Sequence, residues 1–141
     1  MEILISNDDG VYAEGIKSLR KSLSQIAKVT VVAPLEERST TGHTLTLDHP
    51  LRLVELEEGV YGCSGYPADC ALLGLIHLFK EKRGIKPDLV VSGINRGPNL
   101  GQDTYYSGTV AAAREAVFHG VPALSVSTAS SFGTPKDSPL F

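Results

Sequence analysis

Hydrophobic positions along the chain fall into two kinds of pattern. Ile3-Leu4-Ile5 and Val29-Thr30-Val31-Val32-Ala33 are short, nearly continuous apolar runs, as expected of strands covered on both faces. Pro34 stops the second of them. Between them, Ile16, Leu19, Leu23 and Ile26 are spaced as one stripe of a helix. A strand, a helix and a strand of this length predict a parallel pair with a right-handed crossover. The period then changes. Leu45 and Leu47, followed by Leu51 and Leu53, alternate around Asp48-His49-Pro50, which predicts a β-hairpin across His43–Leu56. A short strand at Val60–Cys63 follows. Pro67 suits a first helical turn, with Asp69 near its positive end, and Ala68, Leu72, Leu75 and Phe79 make the stripe of a helix ended by Gly84 and Pro87. Asp88–Ser92 reads as a buried strand, Thr109–His119 as a helix closed by Gly120, and Ala123–Ser127 as a last strand. The order β-α-β-hairpin-α-β-α-β predicts an α/β fold: a Rossmann-like, doubly wound, mostly parallel sheet with an inserted hairpin. Residues 1–130 form the predicted domain, and 131–141 a polar tail rich in Ser, Pro and Gly.

Composition agrees with one globular domain. The chain has 141 residues and 42% hydrophobic content, enough to bury roughly two-thirds of its unfolded surface. Its two cysteines, Cys63 and Cys70, match neither a redox nor a zinc spacing and read as buried thiols. The net charge is −3, with lysines and arginines scattered, which argues against an extended nucleic-acid surface. The N-terminus lacks the basic region of a signal peptide, and no apolar stretch approaches the roughly 18 residues that span a bilayer. A soluble, cytoplasmic protein is expected.

Ligands of such sheets bind beyond the carboxyl ends of the strands, and polar clusters gather there. Asn7-Asp8-Asp9 follows the first strand, Arg38-Ser39-Thr40 lies after the second, and Asn95 follows the strand at Asp88–Ser92. Two carboxylates, a hydroxyl and an amide carbonyl are hard oxygen donors, suited to Mg²⁺ or Mn²⁺ rather than zinc. Adjacent carboxylates repel and raise one pKa, and a divalent cation reverses this. Gly10 allows the sharp turn that lets both side chains serve one site. An Asp-Asp-Gly turn with solvated carboxylates is the plainer reading of the same residues. Ser107-Gly108-Thr109 opens a helix and offers backbone N–H groups to an anion, although an ordinary Ser N-cap explains the same residues. Asn99, in a glycine-rich stretch, is a further candidate phosphate contact. His43, His49, His77 and His119 are not spaced as metal ligands, and His77 and His119 read as structural. Tyr105 and Tyr106 could stack on a base, but packing is the expected use.

SNDDG after a strand, VVAP followed by ERS, PADC opening a helix, VVSGINRGPNLG and YSGTVAAA occur in one order. Together they resemble the SurE family, the stationary-phase survival proteins that act as metal-dependent nucleoside monophosphate phosphatases. The resemblance covers roughly residues 1–130. It implies a divalent metal, Mg²⁺ or Mn²⁺, held by Asp8, Asp9, Ser39 and Asn95, with Asp8 or Asp9 also acting on the attacking water. It implies substrate phosphate near Asn99, Ser107, Gly108 and Thr109, and hydrolysis of nucleoside 5′- or 3′-monophosphates to nucleoside and phosphate. Members of that family are longer, so the resemblance implies a C-terminally short member, expected to cover an open apolar face of Leu45, Leu47, Leu51, Leu53 and Leu56 as a homodimer or higher homo-oligomer. Two other readings stand beside it. A signalling receiver domain also carries paired acids after its first strand, but it needs an Asp after a central strand and a Lys near the last, and Asn95 and Ala123–Ser127 supply neither. A non-catalytic metal- or nucleotide-binding remnant of the family needs no turnover at all.

Overall fold

The computed structural model describes residues 1–129; the tail expected at 131–141 lies outside them. Six strands form one sheet: β1 Glu2–Ser6, β2 Lys28–Pro34, β3 Leu53–Glu57, β4 Val60–Cys63, β5 Leu89–Asn95 and β6 Ala123–Ser127. Their order is β3-β4-β2-β1-β5-β6, and every pair is parallel except β3 with β4. Helix α1 (Glu14–Leu23) connects β1 to β2. Helix α2 (Pro67–Leu73) runs on into a π-helical segment, Gly74–Lys82, before β5. A single turn, α3 (Asp103–Tyr106), and helix α4 (Gly108–Phe118) connect β5 to β6.

The two faces of the sheet follow from the alternation of side chains along each strand. Ile3 and Ile5 pack with Val31, Ala33 and Val91 against Ile16 and Leu19 of α1. Leu4, Val32 and Val90 face the other way, against Leu75, Leu78 and Phe79 of the π-helical segment and Ala116 of α4. This two-sided burial is why β1, β2 and β5 read as continuous apolar runs. Cys63 and Cys70 are free and buried in the second cluster.

Three local expectations are corrected. The hairpin is displaced along the chain: its arms are β3 and β4, joined at Glu58-Gly59, and 43–50 contains no strand. There the Thr46 backbone N–H and hydroxyl donate to the Asp69 carboxylate of α2 at 2.9 and 2.7 Å, so a buried side chain satisfies the segment that a strand partner was expected to pair. Leu45, Leu51 and Leu53 are half-buried, while Leu47 and Leu56 are exposed. Helix α1 ends before Ile26, which is exposed: the Gln25 and Ile26 N–H groups donate to the Ser22 and Leu23 carbonyls three residues back, a tighter turn than the α-helix. In the long helix Leu72 is half-buried and Leu78 takes a core position beside Leu75 and Phe79. Among the described residues no helix is long and apolar enough to cross a membrane.

Candidate active site

β2 lies on one side of β1 and β5 on the other, and β5 is reached only after the chain has gone out to the far edge. The loops after β1 and β5 therefore open a crevice at the carboxyl end of the sheet, the usual ligand position in doubly wound folds. A cleft of about 600 Å³ lies there, lined by Asp8, Asp9, Glu37, Ser39, Asn95, Arg96, Asn99, Tyr106 and Ser107 among others.

The turn after β1 is built by its own residues. Asn7, wholly buried, donates from Nδ2 to the Gly10 carbonyl at 2.9 Å, and its Oδ1 has no partner among the described residues. Gly10 has φ +99°, a left-handed conformation that a side chain would strain. The turn is tied to the β2 loop by the Val11 N–H on the Pro34 carbonyl and the Arg38 N–H on the Asp8 carbonyl, at 2.8 and 2.7 Å.

Asp8 is buried and accepts the Thr109 hydroxyl on Oδ1 at 2.5 Å. Burial raises its pKa, while the Thr109 hydroxyl and backbone N–H groups oppose the rise. Asp9 is half-buried and accepts the Arg96 backbone N–H on Oδ2 at 3.1 Å. Burial pushes its carboxyl up to about 6, the charges of Asp8 and Glu37 add to this, and Arg96 opposes it. Asn95 spends its amide N–H₂ on the Gly97 carbonyl at 2.9 Å, which leaves Oδ1 as its free acceptor. Ser39 is exposed and donates to Glu37 at 2.7 Å.

Two carboxylates, an amide oxygen and a hydroxyl thus share one cleft, enclosed enough to make ionisation of the carboxylates costly. This donor set fits a hard divalent cation, which would relieve that cost. Among the described residues no group of three or more His, Cys, Asp or Glu side chains is placed to hold a metal, so a cation here depends on the neutral oxygens of Asn95 and Ser39 as well.

On the opposite wall, Ser107 caps α4 by accepting the Val110 N–H at 3.1 Å, which leaves its hydroxyl hydrogen to donate. A Cβ on Gly108 would stand 2.8 Å from Asp8 Cβ and 2.9 Å from Pro67 Cγ, so glycine is what lets the helix end approach the carboxylate. Thr109 is fully buried against Asp8 and does not line the cleft. Asn99 does line it, and donates to the Ser127 hydroxyl at 2.7 Å.

The expectation that Tyr105 and Tyr106 pack inside is overturned. They are 73% and 65% exposed, on a one-turn helix too short to bury them, and Tyr106 lines the cleft. Glu37 and Arg96 were not singled out in the sequence. Arg96 is the sole cationic side chain among the described residues lining the cleft, and its position directly after Asn95 was the available signal.

Residues 3–139 match the family described as Survival protein SurE. The chain belongs to the SurE family. It is 53% identical to the 5′-nucleotidase SurE of Geobacter sulfurreducens over 130 residues, which is 92% of this chain and 48% of that SurE. It is 54% identical to the 5′-nucleotidase SurE of Aliarcobacter butzleri over 126 residues, 89% of this chain and 47% of the relative. The crystal structure of the SurE protein from Aquifex aeolicus superimposes with a TM-score of 0.87 at 41% identity, covering 94% of this chain and 53% of that one. The chain spans about half the length of the curated SurE relatives it matches.

Proposed function

We propose that this chain carries the catalytic half of a divalent-metal-dependent phosphomonoesterase acting on nucleoside 5′- or 3′-monophosphates. The observation that carries the reading is the convergence of Asp8, Asp9, Ser39 and Asn95 in one cleft whose other wall is the N-terminus of α4. The names of the relatives, 5′-nucleotidase SurE, support the substrate class. Asp8, Asp9, Ser39 and Asn95 would hold Mg²⁺ or Mn²⁺, which when bound neutralises the carboxylates and offsets charge on the phosphoryl oxygens. Ser107 and the backbone at Gly108 would hold the phosphate, with Asn99 beside them. Thr109 serves from behind, by orienting Asp8. Arg96 adds a positive charge for the phosphate to meet.

Asp8 is the anchored carboxylate. Asp9 is more open, and the Arg96 N–H occupies its Oδ2, so its Oδ1 is the atom assigned to take a proton from water. Water oxygen attacks phosphorus, the ester P–O bond breaks, and the nucleoside leaves as an alcohol after taking up a proton. Tyr106, exposed at the cleft, offers a face to the base. A second copy of the chain is the proposed cover for the exposed Val117, Phe118 and Leu124.

Turnover of nucleoside monophosphates and of p-nitrophenyl phosphate by the purified chain, with Mn²⁺ and with excess chelator, tests the reading. Turnover with metal that chelation abolishes is expected. Activity that survives exhaustive chelation overturns metal dependence, and metal binding without turnover leaves the non-catalytic reading.

A further inference from the structure

Glu115 of α4 is 5% exposed and does not line the cleft. A buried carboxylate is costly unless each oxygen is satisfied, and here each oxygen meets an imidazole. Oε2 lies 2.7 Å from His43 Nε2, and Oε1 lies 3.0 Å from His119 Nε2. A carboxylate without its proton only accepts, so both rings present N–H at Nε2 to it. His119 caps the C-terminal end of the same helix, whereas His43 is 72 residues away in sequence. The bridge therefore joins two distant parts of the chain.

His43 lies on the segment between β2 and β3, four residues beyond Ser39. From Ser39 to Arg52 this segment forms no helix or strand, so local contacts fix where it runs. Those contacts are few and directional. Thr46 hangs on Asp69, the Gly42 N–H donates to the Tyr106 carbonyl at 2.8 Å, and the His43 ring stacks on Phe118 with centroids 5.5 Å apart. Helix α4, at the other end of the bridge, is capped by Ser107, which lines the cleft.

We propose that Glu115, by bridging His43 and His119, is a positioning residue of the cleft. It holds the loop that carries Ser39 against the helix that carries Ser107, and so sets the metal-binding and phosphate-binding walls in register. The inference rests on the proposed function and adds residues that touch neither metal nor phosphate.

The test uses E115A, H43A and E115Q, with H77A as control. Gln can accept from one imidazole and donate to the other, so E115Q keeps a bridge that E115A loses. His77 also pairs with a glutamate, Glu81 at 3.0 Å, but on an exposed surface away from the cleft. Amide hydrogen exchange over residues 36–46 is expected to quicken about tenfold or more in E115A and H43A, as for a loop released from its anchor. Mn²⁺ affinity, read by titration calorimetry or electron paramagnetic resonance, is expected to fall about tenfold, the usual scale for residues that orient ligands from behind. E115Q and H77A should stay close to wild type in both. If E115A does not fold, H43A carries the same test from the loop side. A folded E115A or H43A with wild-type loop exchange overturns the proposal, and so does faster exchange with unchanged Mn²⁺ affinity. If the wild-type chain binds no Mn²⁺, the metal reading fails by itself, and loop exchange alone decides the clamp.

Discussion

Asp9→Asn should stabilise the metal-free protein while destroying its response to metal. The Asp9 carboxyl rises from 3.8 to about 6 chiefly because folding removes it from water. At about 1.36 kcal/mol per tenfold change in proton affinity, the full cost of keeping it ionised in the fold is about 3 kcal/mol. Water reaches part of the side chain and screens it, which leaves about 1–2 kcal/mol as the expected figure. The sign follows from the two proton affinities. Below pH 3.8 both folded and unfolded chains hold the proton, and Asp9 costs nothing. As pH rises toward 6, the unfolded chain releases its proton first and the fold loses stability. Above about 6 both are ionised and the whole cost is present. Asn keeps the shape and keeps an oxygen to accept the Arg96 N–H, but carries no charge. In chelator at pH 7.5, Asp9→Asn should melt about 4–8 °C above wild type, at about 4 °C per kcal/mol for a domain of this length. The gain should shrink to about half at pH 5, where the folded wild type already holds the proton. Adding Mn²⁺ should reverse the order, because a ligand at 100 times its Kd adds about 2.7 kcal/mol to the wild type alone. Differential scanning calorimetry at the two pH values, with and without Mn²⁺, measures all of this. A metal-free Asp9→Asn that melts below wild type at pH 7.5, or a gain that is the same at pH 5, would refute the electrostatic account of this turn.

Three further changes probe the surroundings of the paired acids. Thr109→Val removes the hydroxyl that Asp8 accepts and should cost about 1–3 kcal/mol in a urea melt at neutral pH; an unchanged midpoint would mean that Asp8 does not need this donor. Gly108→Ala forces a methyl group to within 2.8 Å of Asp8 Cβ and should lower stability by about 1–3 kcal/mol, so a variant as stable as wild type would show that α4 can yield. Tyr106→Ala removes a stacking face worth about 1–3 kcal/mol per base. It should raise KM for nucleoside monophosphates about tenfold while leaving p-nitrophenyl phosphate little changed, and an equal effect on both substrates would count against base stacking.

The parts of this molecule that could be read from the sequence share one property: their determinants lie close together in the chain. Ile3-Leu4-Ile5 signals a strand covered on both faces, and Asn7-Asp8-Asp9-Gly10 signals a tight polar turn, within ten residues. Asn95 could be placed beside them because the apolar run of β5 was equally plain, although the strand runs on to Asn95 itself rather than ending at Ser92, and doubly wound topology brings such ends together. The hairpin went astray because a period of two reports that a segment is half-buried, not what satisfies its backbone. At Leu45-Thr46-Leu47 the partner is Asp69, 23 residues further on and inside a helix, where its place near the helix start already accounted for it. Glu115 is the extreme case. In the sequence it is one polar residue in an alanine-rich helix, and its meaning depends on His43, which nothing local connects to it. Tyr106 misled for the opposite reason. An aromatic residue is most often packed inside, and only the shortness of α3, set by Ser107 leaving the helical backbone to cap α4, turns it outward to the cleft. Strands and turns announce themselves because backbone geometry is a local constraint. The polar contacts that aim the site join residues chosen by the fold, and they become legible only once the fold has set them side by side.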